Sequence, residues 1–488
     1  MSGSSALIAA VLLPMAGALG VVAAGRHPNV REGVTLVTAV LLAAIVLSLW
    51  PEVSAGGRPA AVLIETMPGL ALAFELEPLG MLFAFVASSL WIVTSVYAIG
   101  YMRGHGEEHQ TRFYACFAIA LGGAMGVAFA ANMFTLFVFY EVLTLSTVPL
   151  VTHSGTQEAR RAGRTYLGIL LGTSIGLQLV AIAATWVLAG TLDFEPGGIL
   201  AGKAPDWVLA VLFAVFIFGI GKAALMPFHR WLPAAMVAPT PVSALLHAVA
   251  VVKAGVCTVV KVSVDVFGID WLAASGAGLW IAYVAGATIL IASLVAMRQD
   301  NLKRRLAYST ISQLSYIVLG AMLASAWGVI GSGMHIAMHA FGKITLFFCA
   351  GAIMVATHRT RVSELGGLGR QMPITMAAFA LGALSIIGAP PLGGLWSKWF
   401  LAYGTVDSGQ YVLLGVLLIS SLLNVLYLLP IPIRAFFGRR ADDGIGSAVA
   451  EAPWPCVLAL GFTAIGSLVL FFMPEPLYAL MAQIVGRP

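Results

Sequence analysis

One carboxylate lies in an apolar segment, where a charged side chain has a high free-energy cost. Of the 21 acidic residues, Glu141 alone lies in the middle of a long apolar segment, within Leu136–Leu143. A charged side chain at the centre of a bilayer costs at least a few kcal/mol, so such a residue is either neutral or paired with a cation. We interpret Glu141 as a paired carboxylate that exchanges protons. A hydrogen bond that merely ties two helices together is the alternative.

Lysines are the candidate partners. Lys222, Lys253, Lys343 and Lys398 are also in the middle of apolar segments, whereas Lys261 lies at the end of one, where a long side chain can reach the surface. One glutamate cannot neutralise four lysines, and a desolvated lysine without a counter-ion gives up its proton more readily than an exposed one. A structural clamp is the alternative for any single lysine. The set of four favours proton transfer.

A further set of three ionisable residues has a helical spacing. His335, His339 and Lys343 are placed at i, i+4 and i+8, which puts them on one face of a helix. Imidazole can both donate and accept a proton near neutral pH, as a relay requires. A lone buried histidine is more often an ordinary core residue. Three ionisable groups along one face indicate a hydrated proton path.

Two further histidines lie near these groups. His247 precedes Lys253 by six residues in the same apolar segment, so the two side chains point to rather different sides of a helix. His229 lies in the loop before that segment and is a candidate for the place where protons enter from the cytoplasm. An ordinary surface histidine is the alternative for His229.

Motifs for cofactors and metals are weak. The four cysteines are widely separated and show none of the spacings of zinc, haem or iron–sulfur sites. The run Gly366–Gly369 follows no strand and opens no βαβ unit, so it is not a dinucleotide motif. His335 and His339 have metal-compatible spacing, but no carboxylate or thiolate lies beside them to complete a site. We therefore predict no cofactor, no metal site and no redox centre in the chain itself.

The composition indicates which elements must hold these residues. Of 488 residues, 60% are hydrophobic and 10% are charged, and the mean hydropathy is +0.96. Soluble domains carry about 25% charged residues, so the composition excludes a soluble enzyme, a nucleic-acid binder and a secreted disulfide scaffold. No long hydrophilic stretch leaves room for a separate soluble domain. We predict a single membrane domain over residues 1–488.

The apolar stretches predict about fourteen transmembrane helices, since a spanning helix needs about 20 mostly apolar residues. The fold class is therefore an all-α polytopic membrane protein. The predicted helices are 5–25, 33–50, 78–101, 112–131, 132–153, 165–190, 207–226, 241–262, 272–297, 306–326, 328–357, 373–402, 410–435 and 453–473.

The basic residues predict the orientation. Eighteen of the 26 Lys and Arg residues fall in loops after odd-numbered helices, and three fall after even-numbered helices or at the C-terminus. By the positive-inside rule, the odd-numbered loops are cytoplasmic and both termini lie outside, in a bacterial-type inner membrane. The net charge of +5 reflects these loops rather than a polyanionic partner.

Two acidic loops fall on the predicted outer side. They could draw cations to the mouth of a pathway, but we predict ordinary solvated loops. Their acidic residues are Asp193, Glu195 and Asp206 in one loop, and Asp265 and Asp270 in the other.

Helices 7 and 12 are predicted to be broken. Helix 7 meets Pro227 and helix 12 meets Pro390 and Pro391, and each break lies close to a buried lysine, Lys222 or Lys398. A proline frees a backbone carbonyl, which then needs another partner inside the membrane. Because the two helices are five positions apart, the repeat they suggest is inverted. Broken helices at matching positions mark transport sites in such folds.

Six sequence motifs together resemble one known family. The resemblance extends over nearly the whole chain and is to the antiporter-like subunits shared by respiratory complex I, membrane-bound hydrogenases and Mrp-type sodium/proton antiporters. The motifs are Phe139–Glu141, Gly221–Pro233 (GKAALMPFHRWLP), Ala238–His247 (APTPVSALLH), Val252–Gly255, Lys303–Gln313 and His339–Lys343.

The resemblance implies a fold and a polar axis. It implies fourteen helices with two inverted five-helix repeats, helices 4–8 (residues 112–262) and 9–13 (residues 272–435). It also implies that Glu141 pairs with Lys222. The axis would then continue through His247, Lys253, His335, His339 and Lys343 and end at Lys398.

Within the family, a chain of this length with a lysine at both breaks most resembles the D subunit of an Mrp-type antiporter. This implies a proton-translocating subunit of a multi-subunit Na+/H+ antiporter, with other membrane subunits as partners, H+ and Na+ as transported ions and no nucleic acid. A proton-pumping subunit of complex I or of a hydrogenase-type redox complex is the main alternative. A bicarbonate-uptake relative, a quinone-binding subunit, a scaffold and a self-sufficient transporter also stay open.

Overall fold

The computed structural model describes residues 2–438 and 449–486, except for the side chains of Leu246 and His247. His247, one of the predicted axis residues, therefore lies outside the described side chains. Three arginines that contribute to the predicted orientation, Arg439, Arg440 and Arg487, also lie outside the described residues.

The described chain is mostly helical. In chain order, the α-helices are Gly3–Ala23 (α1), Pro28–Ser54 (α2), Pro78–Gly104 (α3), Gln110–Ala128 (α4), Met133–Val151 (α5), Gln157–Thr173 (α6), Leu179–Ala189 (α7), Asp206–Gly219 (α8), Trp231–Ala234 (α9), Thr240–Ala244 (α10), Val251–Lys261 (α11), Ile269–Ser275 (α12), Leu279–Arg298 (α13), Leu302–Met322 (α14), Ala326–Thr357 (α15), Pro373–Ile387 (α16), Gly394–Asp407 (α17), Tyr411–Leu428 (α18), Pro430–Phe437 (α19), Trp454–Phe472 (α20) and Glu475–Ile484 (α21).

Shorter helical turns connect several of these helices. They are π-helical at Ser174–Gln178, Leu245–Val249 and Val262–Phe267, and 3-10 helical at Gly221–Ala223, Ala235–Val237, Val362–Leu365 and Leu368–Arg370. The first π-helical turn joins α6 to α7, so these form one continuous helix from Gln157 to Ala189.

Ten helices in the described part of the chain are long and apolar enough to cross a membrane, and α8 and α16 are shorter apolar helices. This confirms the predicted all-α polytopic membrane protein. The number fourteen and the two inverted repeats, 112–262 and 272–435, stay predictions.

Side-chain caps begin several of these helices. Asn132 accepts a hydrogen bond from the backbone N–H of Thr135 at 2.8 Å before α5, and Asn301 accepts one from Arg304 at 3.0 Å before α14. Ser325 does the same before α15. These oxygens satisfy donors that have no partner within the helix. The caps fix the starting points of α5 and α15, which carry Glu141, His335, His339 and Lys343, and of α14, which packs against α15.

The predicted breaks in helices 7 and 12 are present. α8 ends at Gly219, and Lys222 lies in the 3-10 turn that follows, before Ala224 adopts a left-handed conformation at φ +55°. α16 ends at Ile387, where Gly388 adopts φ +88°, and α17 begins at Gly394. The first break was expected at Pro227, but the α-helix already ends before Lys222.

A β-hairpin was not predicted. β1 (Ala60–Met67) pairs antiparallel with β2 (Leu70–Glu75), with Ala60 opposite Glu75 and Met67 opposite Leu70. Most of β1 is exposed. The hairpin lies between α2 and α3, in a segment that was predicted only as a connection between spans.

The interior is organised around α15. In this 32-residue helix, 78% of the most apolar window is buried inside the protein, compared with 33% in α20. α15 packs against α14, α16, α17 and α20. The outer helices instead expose large apolar side chains, such as Leu418 and Leu422 on α18, which suits contact with lipid tails. The central helix therefore carries His335, His339 and Lys343 where lipid cannot reach them.

Candidate functional site

Lys222 is fully buried beside Glu141, but the two side chains are not directly bonded. Lys222 Nζ donates hydrogen bonds to the Tyr140 carbonyl oxygen at 2.8 Å and to Thr144 Oγ1 at 2.6 Å. Nζ also lies 3.1 Å from the centre of the Tyr140 ring, a cation–π contact. Helix α5 thus supplies all of these contacts through Tyr140 and Thr144, one turn apart.

Both carboxylate oxygens of Glu141 are buried, and neither has a hydrogen-bond partner among the described residues. Among the described ion pairs none joins Glu141 to Lys222, although the two charges are close enough to interact. The resemblance implies a direct pair, whereas this structure shows the two groups as neighbours. Direct pairing would require Lys222 Nζ to leave the Tyr140 carbonyl and Thr144.

The most direct contact of the predicted axis joins two helices. Lys253 Nζ, on α11, lies 2.7 Å from His339 Nδ1, on α15, and both side chains are buried. A charged Lys253 donates to a neutral His339, and a neutral Lys253 can accept from a ring that carries its proton on Nδ1. One proton can therefore reside on either side of this contact.

The row continues along α15. The rings of His335 and His339 are stacked with centroids 5.8 Å apart, and Tyr316 stacks on His335 at 5.6 Å. His335 Nδ1 is 2.8 Å from Ser397 Oγ on α17, next to Lys398 in sequence. His335 Nε2 is buried and has no hydrogen-bond partner among the described residues.

Lys343 is held by hydroxyl groups. Its Nζ donates to Ser309 Oγ on α14 at 2.8 Å, and the Tyr427 hydroxyl donates to the same oxygen at 3.0 Å. Tyr427 is also hydrogen-bonded to Asn424. No carboxylate neutralises Lys343 through an ion pair in the described part of the chain. These hydroxyl groups therefore solvate the ammonium group of Lys343 but do not hold it in its charged form as a carboxylate would.

Lys398 is hydrogen-bonded at the break between α16 and α17. Its Nζ donates to the Ile387 carbonyl oxygen at 3.1 Å and to Ser421 Oγ at 3.3 Å, and lies 5.0 Å from the centre of the Tyr316 ring. The Ile387 carbonyl is available because the helix ends there. The broken helix therefore provides the polar partner for this lysine.

His229 lies apart from the row. It occupies the turn between α8 and α9, with its ring 6.5 Å from that of Tyr308. Burial lowers the pKa of the His229 imidazole. No described hydrogen bond joins it to the other predicted site residues, so its role as the place where protons enter stays a prediction.

A cavity of about 240 Å³ lies among the loops that carry most of the basic residues. Glu107, Lys303 and Thr240 line it. Burial raises the pKa of the Glu107 carboxyl, while the nearby His105 and Lys303 act in the opposite direction. The cavity brings Glu107, which follows α3, next to Lys303 in the first turn of α14.

Several participating residues were not predicted from the sequence. The hydroxyls of Thr144, Ser309 and Ser397 contact Lys222, Lys343 and His335. The Tyr427 hydroxyl donates to Ser309 Oγ, and Tyr316 stacks on His335. Ser309 lies within a motif of the family resemblance, yet hydroxyl residues in apolar helices usually bond to their own backbone. The cluster Ser309, Thr310, Ser312, Gln313 and Ser315 in α14 was the available signal.

The prediction for Lys261 was wrong. Its side chain does not reach the surface: it is buried, and its Nζ lies 2.6 Å from Glu77 Oε1. Asp265, predicted to lie in a solvated loop, is buried as well, within the π-helical turn after α11. The apolar segment ends near Lys261, but neighbouring loops and the start of α3 cover that end.

One glycine sets the distance between α11 and the turn of Lys222. A Cβ at Gly255 would lie 2.5 Å from the amide nitrogen of Ala223 and would also overlap the backbone carbonyl carbon of Lys222. We expect Gly255→Ala to displace this turn, reduce ion translocation and lower stability by about 1–3 kcal/mol, as overpacking does. Thermal unfolding in detergent checks the stability.

Gly415→Ala is the control, because Gly415 has open space around it. Equal unfolding temperatures and equal transport in the two variants would contradict the role given to Gly255.

With this geometry established, similarity to known proteins identifies the family. The family described as "NADH:quinone oxidoreductase/Mrp antiporter, TM" matches residues 130–424. The chain belongs to this family. The match includes the turn of Lys222, the Lys253–His339 contact and the α16–α17 break, so the buried row lies within the part that is shared.

The individual relatives include NADH-quinone oxidoreductase subunits as well as a sodium/proton antiporter subunit. NADH-quinone oxidoreductase subunit N of Desulforudis audaxviator is 33% identical over 399 residues, covering 80% of this chain and 77% of that protein. The D subunit of the Na(+)/H(+) antiporter of Alkalihalophilus pseudofirmus is 26% identical over 489 residues, covering 99% and 96%. Longer relatives also match: the chain spans 63% of NADH-quinone oxidoreductase subunit L of Mycobacterium tuberculosis and 60% of NAD(P)H-quinone oxidoreductase chain 5 of Synechocystis sp..

A solved structure shows the same fold. A chain in the Mrp complex from Dietzia sp. DQ12-45-1b superposes with a TM-score of 0.86, covering 100% of this chain and 97% of that one at 24% identity. The protein is thus a multi-pass membrane protein with the antiporter-like fold.

Proposed function

We propose that this chain is the proton-translocating subunit of a multi-subunit Mrp-type monovalent-cation/proton antiporter. The observation that carries the proposal is the buried contact between Lys253 and His339, which joins α11 to the row on α15. A scaffold gains nothing from burying lysines without counter-ions, because each desolvated ammonium is costly. The row is instead suited to passing protons.

The proton moves when Lys222 changes partner. Contact with Glu141 would hold Lys222 charged by Coulomb attraction, which is strong in a low-dielectric interior. In the structure, Lys222 is instead hydrogen-bonded to Tyr140 and Thr144, so the attraction between its ammonium group and Glu141 is weaker. Alternation between the two positions would raise and lower the proton affinity of Lys222. Its proton would then pass toward Lys253 and His339 and along α15 to Lys398.

The extent of one sequence match supports the choice of an antiporter. The match to the D subunit of an Na(+)/H(+) antiporter covers nearly all of both chains. The partners would be further membrane subunits, and inward proton flow would drive Na+ outward through them. The orientation is proposed from the basic loops, with odd-numbered loops in the cytoplasm.

A second candidate is a proton-pumping subunit of a complex I-like redox complex. The 33% identity to an NADH-quinone oxidoreductase subunit N supports it. The same buried row would serve, but electron transfer in other subunits would drive it.

Everted membrane vesicles distinguish the two. The chain is expressed with the proteins encoded beside its gene in a host that lacks its own sodium/proton antiporters, and a pH-sensitive dye reports the gradient. We expect added Na+ to collapse a respiration-driven pH gradient, and vesicles without this chain to show no response. Proton pumping that depends on NADH oxidation, with no response to Na+ or K+, would overturn the antiporter proposal.

A further inference from the structure

A second buried group of charges lies at the far end of α11. Lys261, Glu77 and Asp265 are only 5%, 8% and 7% exposed. Lys261 Nζ lies 2.6 Å from Glu77 Oε1 and donates to the Ala130 carbonyl oxygen at 2.9 Å. Asp265 is close enough to both to interact electrostatically. Two carboxylates beside one ammonium leave an excess negative charge, which favours holding a proton.

This cluster is aligned with the proton row. Lys253, Cys257 and Lys261 follow one another at intervals of four on α11, so they share a face about 12 Å long. A void of about 10 Å³ lies beside this face, lined by Cys257, Thr258, Lys261 and Glu77. That is about the space one water molecule needs.

On its other side the cluster leads toward the surface. Glu77 follows β2, which ends at Glu75, and Glu75 forms an ion pair with Arg58 at 3.5 Å. The Arg58 and Glu75 side chains are 40% and 34% exposed. Exposure thus rises from Lys253, which is fully buried, through the cluster to the base of the hairpin. The route ends at loops that carry few basic residues.

We propose that Glu77, Lys261 and Asp265 form a proton-transfer site that connects Lys253 to the face of the membrane carrying the β-hairpin. The proposal rests on the proposed proton translocation and names where its first half opens. A cluster carboxylate takes up a proton from solvent past Glu75, as inward proton flow requires. The O–H bond of this carboxylic acid then breaks as an N–H bond forms on the neutral amine of Lys253, with water along the face of α11 relaying the proton. The resulting Lys253 ammonium can pass a proton on to His339.

Isosteric neutral variants test the site in the vesicle assay above. We expect Glu77→Gln and Asp265→Asn to slow proton translocation at least tenfold without changing the amount of assembled complex. Glu65→Gln is the matched control, since Glu65 is exposed on β1 of the same hairpin, and its rate should equal that of the parent. Parental rates in both cluster variants would overturn the proposal.

The double variant Glu77→Gln, Lys261→Gln separates a relay from a structural ion pair, because it removes both charges and leaves neither unpaired. A relay predicts that the double variant assembles and stays slow. Recovery of the parental rate would show that the pair is structural and would overturn the proposal. If the parent pumps protons on NADH oxidation instead of exchanging Na+, only the antiporter proposal fails. The same variants then test the proton-transfer site in that assay.

Discussion

Replacing Lys222 by methionine is expected to reduce ion translocation at least a hundredfold while the chain still folds and assembles. Methionine fills a similar volume and suits the apolar surroundings, but it carries no proton. The substitution removes the hydrogen bonds from Lys222 to the Tyr140 carbonyl and to Thr144, which costs about 1–3 kcal/mol. Vesicles measured for cation-dependent pH changes, with the assembled complex quantified on native gels, check the result.

Two companion variants sharpen this prediction. Glu141→Gln should reduce transport by a similar factor, because the amide keeps the shape but cannot hold Lys222 charged. Lys203→Met is the control, since Lys203 is exposed in the loop before α8. Normal transport by a correctly assembled Lys222→Met protein would contradict the proposed role of this lysine in proton transfer.

Breaking the contact between Lys253 and His339 is the second change with a large expected effect. His339→Leu removes the group 2.7 Å from Lys253 Nζ and interrupts the hydrogen bond that joins the axis residue of α11 to the row on α15. We expect translocation to fall at least a hundredfold. Lys253→Met should have the same effect, because either variant removes one of the two groups between which the proton passes.

A double-mutant cycle makes this prediction specific. If the two residues act as one step, the double variant Lys253→Met, His339→Leu is no slower than either single variant. Multiplying losses would indicate two separate steps and contradict the proposed transfer. His27→Gln serves as the control, because His27 is exposed before α2 and makes no capping hydrogen bond.

The general character of the site could be predicted because isolated charges are conspicuous in apolar helices. A buried lysine such as Lys343 is recognisable in one dimension, since desolvation makes it costly wherever the helix packs. The shared face of His335, His339 and Lys343 also follows from helical geometry alone. The hydroxyl partners could not be found in this way. Thr144 also donates to the Tyr140 carbonyl on its own helix, and such local bonds are compatible with any apolar segment.

By itself, the sequence determined a helical membrane protein, its family resemblance, its two broken helices and the set of buried ionisable residues. Composition and helical period decide these, and both act locally. Only the tertiary structure decided which groups meet: Lys253 with His339, 86 residues apart, and Lys261 with Glu77 rather than with solvent. Such contacts depend on how closely helices approach, as at Gly255, and on which loops cover a helix end. Those are properties of the packed molecule that no single segment carries.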